Sequence, residues 1–332
     1  MLKNRFGQQL KIEVPYNWDR SLIKEFAMPL YKSNIDFVYL CPYKDHNEGA
    51  KKYYKISHFG HNCLETQPQS WEEYVSHIGE LQQHGLEVCL LLQNLCEMPS
   101  EEILMKYISL GIKVFTVTRA DTANLVKRLC PEARIVGSIT RKLCIDEILG
   151  EISNLDSPFD EQVLFFPFNR GMQALREICN FRDSRVCRDY HLVLLVNCRC
   201  SITCPGHHHW YATDDADAPR SRFSCLSGID EFSIEVIPAN LKYFANFIDK
   251  IKLQGREYTS DDILKDLKSY VYAINFDSNE DLKKMPDFLI GRFNSSYKYL
   301  RSRNFLEHGS IPKDRYAGFV LKDGWQISKL NA

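Results

Sequence analysis

Across 332 residues the charges nearly cancel, at a net −1, and 44% of the side chains are apolar. Such a chain can bury a sizeable core, and it carries no long-range field that would draw nucleic acid or an anionic membrane. The first residues, Met1-Leu2-Lys3-Asn4-Arg5, lead into polar sequence, and no stretch reaches membrane-spanning length. A secretory signal and a membrane span are therefore not expected, and a cytoplasmic location is. Twelve cysteines are many for this length. In a reducing compartment metal binding or plain burial has to account for them, rather than disulfides.

In chain order, residues 8–14 read as a strand closed by Pro15-Tyr16-Asn17, and residues 20–32 carry apolar positions at helical spacing. Ile35–Leu40 is a second strand, followed by a long polar segment to about residue 69. Ser70 is placed to cap a helix that stops at Gly85. Residues 86–93 are almost continuously apolar, as a strand covered on both faces requires. A helix from Ser100 to Gly111, strand 112–118, a helix from Asp121 and strand 133–138 continue the alternation. Helix 144–153, strand 162–166, helix 170–179 and strand 191–197 follow. After an irregular insertion come a short helix near 240–246, strand 248–253 and a helix from Ser260 to about 273.

Eight strands separated by helices predict a closed (β/α)8 barrel of the TIM type over residues 1–273. No Gly-x-Gly-x-x-Gly follows any strand, so the dinucleotide-binding open sheet has no support. Residues 274–332 lack the alternation and are expected to form a C-terminal extension packed on the barrel.

Barrel chemistry collects where strands end. The strand exits carry Tyr16, Asn17, Cys41, Asn94, Cys96, Thr118, Arg119, Ser138, Asn169, Arg170, the 197–204 segment, Gln254 and Arg256. The densest feature is Asn197-Cys198-Arg199-Cys200-Ser201-Ile202-Thr203-Cys204-Pro205, with His207, His208 and His209 behind it. Three cysteines within seven residues at a strand exit point to thiolate ligation of a borderline or soft metal. Cys225 lies in the same insertion and can return as a third ligand. A fourth must come from another strand exit, Cys41 first, with Cys96 and Cys63 behind it. The spacing leaves an iron–sulfur cluster and zinc both open. Cys187 precedes its strand, and a strand of about ten residues spans roughly 30 Å, so it falls at the opposite rim. Cys89, inside a strand, reads as core.

Asn197-x-x-Cys200-x-x-x-Cys204-Pro205 after an apolar strand resembles the corresponding segment of the collagenase-like peptidase family U-32. Val14-Pro15-Tyr16-Asn17, Asp36-Phe37-Val38-Tyr39, Leu92-Gln93-Asn94, Phe115–Thr118, Val136-Gly137-Ser138, Asn169-Arg170 and Lys252–Glu257 are similar to other strand exits of that family, in the same order, across about residues 8–273. The resemblance implies a four-iron four-sulfur (4Fe-4S) cluster, zinc remaining the alternative from the spacing, and oxygen-independent hydroxylation with a small anionic, prephenate-like co-substrate. It implies Cys200, Cys204, Cys225 and Cys41 as ligands. It makes Asn94, Asn169, Arg170 and Arg256 candidates for catalysis, and Tyr16, Arg119, Ser138 and Lys252 for substrate binding. A guanidinium suits a carboxylate because it pairs bidentately. Two departures from the family stand out. Gly206 and three histidines occupy the place of an arginine after Cys-Pro, and residues 300–332 contain no cysteine.

Two other functions compete. A metal-dependent hydrolase would use His207, His209 and a carboxylate to activate water, although no His-Glu-x-x-His pattern supports it. A non-catalytic subunit would hold the cluster for a related partner in a hetero-oligomer.

Overall fold

The computed structural model describes residues 1–46, 67–92, 98–165, 168–169, 172–184, 189–197, 236, 238, 241–256 and 258–275. Eight parallel strands follow one another around a closed barrel: β1 Lys11–Pro15, β2 Ile35–Leu40, β3 Val88–Leu92, β4 Val114–Val117, β5 Arg134–Gly137, β6 Glu161–Leu164, β7 His191–Leu195 and β8 Lys250–Lys252. β8 pairs back onto β1, with Ile12 opposite Ile251, and that ladder closes the ring. The (β/α)8 expectation is met. All five residues of β3 are buried, because the lumen and the helix layer cover its two faces.

The helices are α1 Ser21–Phe26, α2 Pro29–Lys32, α3 Trp71–Gln83, α4 Glu101–Ser109, α5 Ala120–Leu129, α6 Ile145–Ser153, α7 Met172–Ser184, α8 Leu241–Phe244 and α9 Ser260–Asn275. Ser70 and Ser100 cap α3 and α4 by accepting from the backbone N–H of Glu73 and Ile103, at 3.1 and 3.2 Å. Gly85 and Gly111, just past those helices, have φ of 70° and 79°, which glycine adopts without a Cβ penalty. The single helix expected over 20–32 is two short ones. Pro29 forces Met28 to an extended ψ of 136°, so α1 stops and α2 restarts with proline at its first turn. Helix α9 runs two residues past the expected boundary at 273, and the extension beyond residue 275 lies outside the described residues.

Charge in the lumen departs from a simple apolar core. Lys252 of β8 sits 2.5 Å from Glu13 of β1, below the Tyr39 ring, whose centroid is 3.9 Å from the ammonium. At the N-terminal opening, Lys250 meets Asp36 at 2.8 Å and Glu161 at 2.6 Å, while Arg134 reaches Asp36 at 3.2 Å. Those groups belong to β8, β2, β6 and β5, so they join across the barrel rather than along one ladder. The strand sequences carry the cause. Glu13 alternates with Ile12 and Val14 in β1, and Lys250 and Lys252 alternate with Ile251 and Leu253 at β8, so the polar positions of each strand share one face, which here is the interior.

Candidate metal centre at the barrel mouth

The C-terminal rim is tied together by side chains at the strand exits. The Asn197 amide, two residues past β7, donates to the Gln254 carbonyl at 2.9 Å and to Asp266 Oδ2 of α9 at 2.7 Å. Its oxygen accepts from the Gln254 backbone N–H at 2.7 Å. Asn17, past β1, donates to the Tyr258 carbonyl at 3.0 Å and to Ser260 Oγ at 3.2 Å. Asn169, past β6, is fully buried and donates to the Leu195 carbonyl at the end of β7, at 2.6 Å. These bonds hold the exits of β6, β7, β8 and β1 in one fixed rim, and the cysteine-rich segment follows Asn197 directly in the sequence.

Cys41 follows β2 directly and is buried, and its carbonyl accepts from the Tyr74 hydroxyl of α3 at 2.7 Å. From the β8 exit, the Arg256 guanidinium donates through Nη1 to Cys41 Sγ. Barrel closure explains the meeting: β8, β1 and β2 are consecutive neighbours, so loops separated by 215 residues in sequence share one sector of rim. Cys41 thus places a sulfur at the rim beside a guanidinium, and sulfur is the donor type a cysteine-ligated metal uses. Among the described residues no three His, Cys, Asp or Glu side chains converge on a metal-binding geometry. Cys200, Cys204 and Cys225 lie outside the described residues, as do Asn94, Arg170, Cys63, Cys96, Cys187 and the three histidines.

The other candidate residues are spread around the rim and the lumen. The Tyr16 hydroxyl turns into the helix layer and shares a 2.6 Å hydrogen bond with His77 Nδ1 of α3. Burial, the largest influence on each, pushes the Tyr16 phenol up and the His77 imidazole down, so both are held neutral. Arg119 pairs with Asp121 in the first turn of α5, both largely exposed, and its hydrogen bonds hold the Asp121 carboxyl down at about 2. Ser138 accepts from the Thr140 N–H at 3.2 Å and from its hydroxyl at 2.8 Å, capping the short turn after β5. Lys252 lies beneath the rim with Glu13. Cys89 is core as expected. It is fully buried 3.3 Å from Thr116 Oγ1, and burial pushes its thiol up to about 12.

Two features escaped the sequence reading. One is the lumen charge set, signalled only by polar residues at alternate positions of strands that have no solvent face. The other is the aromatic packing behind Tyr16. Trp18 stands at φ 73°, uncommon for a bulky residue, with its ring 4.8 Å from Tyr74 and 5.7 Å from His77. Nothing in Tyr16-Asn17-Trp18 by itself points to a helix more than fifty residues away.

No protein-family model matches the chain, and no curated protein matches it. Among solved structures, a U32 peptidase is 11% identical with a TM-score of 0.44, over 74% of this chain and 92% of its own. The maltose complex of cyclic α-maltosyl-(1→6)-maltose hydrolase from Arthrobacter globiformis is 11% identical with a TM-score of 0.41, over 80% of this chain and 82% of its own. A spore coat polysaccharide biosynthesis protein from Bacillus subtilis is 10% identical with a TM-score of 0.45, over 96% of this chain and 74% of its own. Similarity at this level concerns the fold alone, and the fold itself rests on the strand order. The chain is a closed (β/α)8 barrel whose described mouth brings Cys41 and Arg256 together.

Proposed function

We propose that the mouth holds a 4Fe-4S cluster on Cys200, Cys204, Cys225 and Cys41. The chain would then act as an oxygen-independent, hydroxylase-type oxidoreductase on a small or carrier-bound substrate, with a small anionic, prephenate-like co-substrate. The observation that carries the reading is the convergence on the β8 exit. Asn197, three residues before Cys200, is bonded to Gln254, and Arg256 two residues further on touches Cys41. Around the wall, β7 and β2 are three strand spacings apart, about 14 Å. Three extended residues span roughly 10 Å before the side chains are added, so the contour length lets Cys200 approach Cys41.

A cluster bound there supplies one-electron transfer. The chain's own residues would do the rest. Arg170, next to Asn169 in the sequence, would pair with a carboxylate of the co-substrate. Among the described residues no helix is long and apolar enough to cross a membrane.

Anaerobic purification, or reconstitution with ferrous iron and sulfide, tests the metal. The expected product is brown, with about four iron atoms per chain. Cys200→Ser should remove the colour, whereas Cys187→Ser should leave it. Colourless protein carrying stoichiometric zinc would overturn the reading.

A further inference from the structure

Arg256 stands on a turn with little freedom. Gly255 has φ 137°, and a Cβ there would fall 2.3 Å from Cδ2 of the Tyr258 ring, so only glycine fits. The Tyr258 N–H closes the turn on the Gly255 carbonyl at 2.8 Å. Three neighbouring strand exits pin it from outside. Asn197 holds Gln254, Asn17 holds the Tyr258 carbonyl, and the Tyr39 hydroxyl donates to the Leu253 carbonyl. On the other side, Tyr74 fixes the backbone of Cys41. Both ends of the Arg256–Cys41 contact are thus held by groups that take no part in it. An adaptable substrate clamp needs no such double support.

We infer that Arg256 is a positioning residue for Cys41: it holds the sulfur in ligating orientation and donates an N–H to it once a cluster is bound. The inference rests on the cluster reading above. A hydrogen bond to a ligand sulfur, with a cation beside it, stabilises the more negative reduced state and raises the reduction potential. Partners of this outer kind typically govern metal affinity by about 10–100-fold.

Full-length wild type, Arg256→Met, Arg256→Lys and Gly255→Ala are reconstituted together and compared by redox titration and by iron release to a chelator. Circular dichroism of the apo-proteins confirms that each is folded. Arg256→Met should shift the potential to more negative values and speed iron release by about 10–100-fold. Arg256→Lys should recover part of the potential by keeping the charge. Gly255→Ala, which retains the arginine but displaces its turn, should move both readouts in the same direction as Arg256→Met. A folded variant that takes up no cluster counts as the extreme of the expected result. If wild type loads a cluster and the folded variants match it in potential and iron release, this inference falls and the cluster reading stands. If wild type itself takes up no cluster, both fall.

Discussion

The Glu13–Lys252 pair shows how one residue's surroundings decide what it can do. The ammonium lies against a carboxylate and beneath an aromatic ring, with both charged side chains removed from water. Burial is the largest influence on Glu13 and pushes its carboxyl up, while Lys252 pulls it down. Taking two charges out of water costs about as much as their attraction returns, so the pair adds little net stability. Removing one partner alone leaves an uncompensated buried charge. Lys252→Met should therefore destabilise the fold by about 3–5 kcal/mol in urea denaturation, and adding Glu13→Leu should restore most of the loss. A loss no greater than that of an exposed lysine would mean that Lys252 reaches solvent, as a substrate-binding lysine would.

Strands and helices locate the chemistry through their ends. Strands β7 and β8 contribute short ladders, and Asn197 extends their pairing past the point where the ladder stops. The same side chain bonds α9 through Asp266, so one residue ties two strand exits to the last described helix. Asn197→Ala should cost about 1–3 kcal/mol, the penalty for leaving buried polar groups without their partner. The effect belongs to this junction, so hydrogen exchange should rise in the β7 and β8 exits and in α9. Exchange in β3 and β4, on the far side of the barrel, should be unchanged. A uniform rise would mean that the asparagine supports the whole fold rather than the rim.

For the molecule as a whole, the charges at the N-terminal opening join β2, β5, β6 and β8 from inside. Burial alone would raise the Asp36 carboxyl, but Lys250 and Arg134 outweigh it and hold the group below its ordinary range. A carboxyl depressed in the folded state stabilises above its unfolded pKa, about 3.9, and that contribution is lost as pH falls through the folded value. Glu13, being raised, works in the opposite sense: its contribution improves as pH falls from its folded value. The difference between wild type and Asp36→Asn isolates the first effect. Asp36→Asn should be less stable at about pH 7 and should lose less on going from about pH 4 to pH 3. Parallel curves for the two proteins would remove Asp36 from the acid response.

The sequence by itself determined the barrel. Continuous apolar runs such as Val88–Leu92, serine caps at Ser70 and Ser100, and glycine stops at Gly85 and Gly111 are local decisions, made by periodicity and backbone sterics. It also marked the strand exits, and with them Cys41, Asn169, Asn197 and Arg256 as residues of one rim. Only the tertiary structure decided which of these meet. Strand closure brings β8 beside β1, so Arg256 reaches Cys41, and Asn197 and Asn169 are spent on tying strand exits together. It also decided that Lys252 faces Glu13 across the β1–β8 seam, a pairing of residues 239 positions apart. The physical reason is common to all of these. Periodicity and caps act within a turn or a strand, whereas a side chain's partner is set by ring closure, which no local pattern encodes.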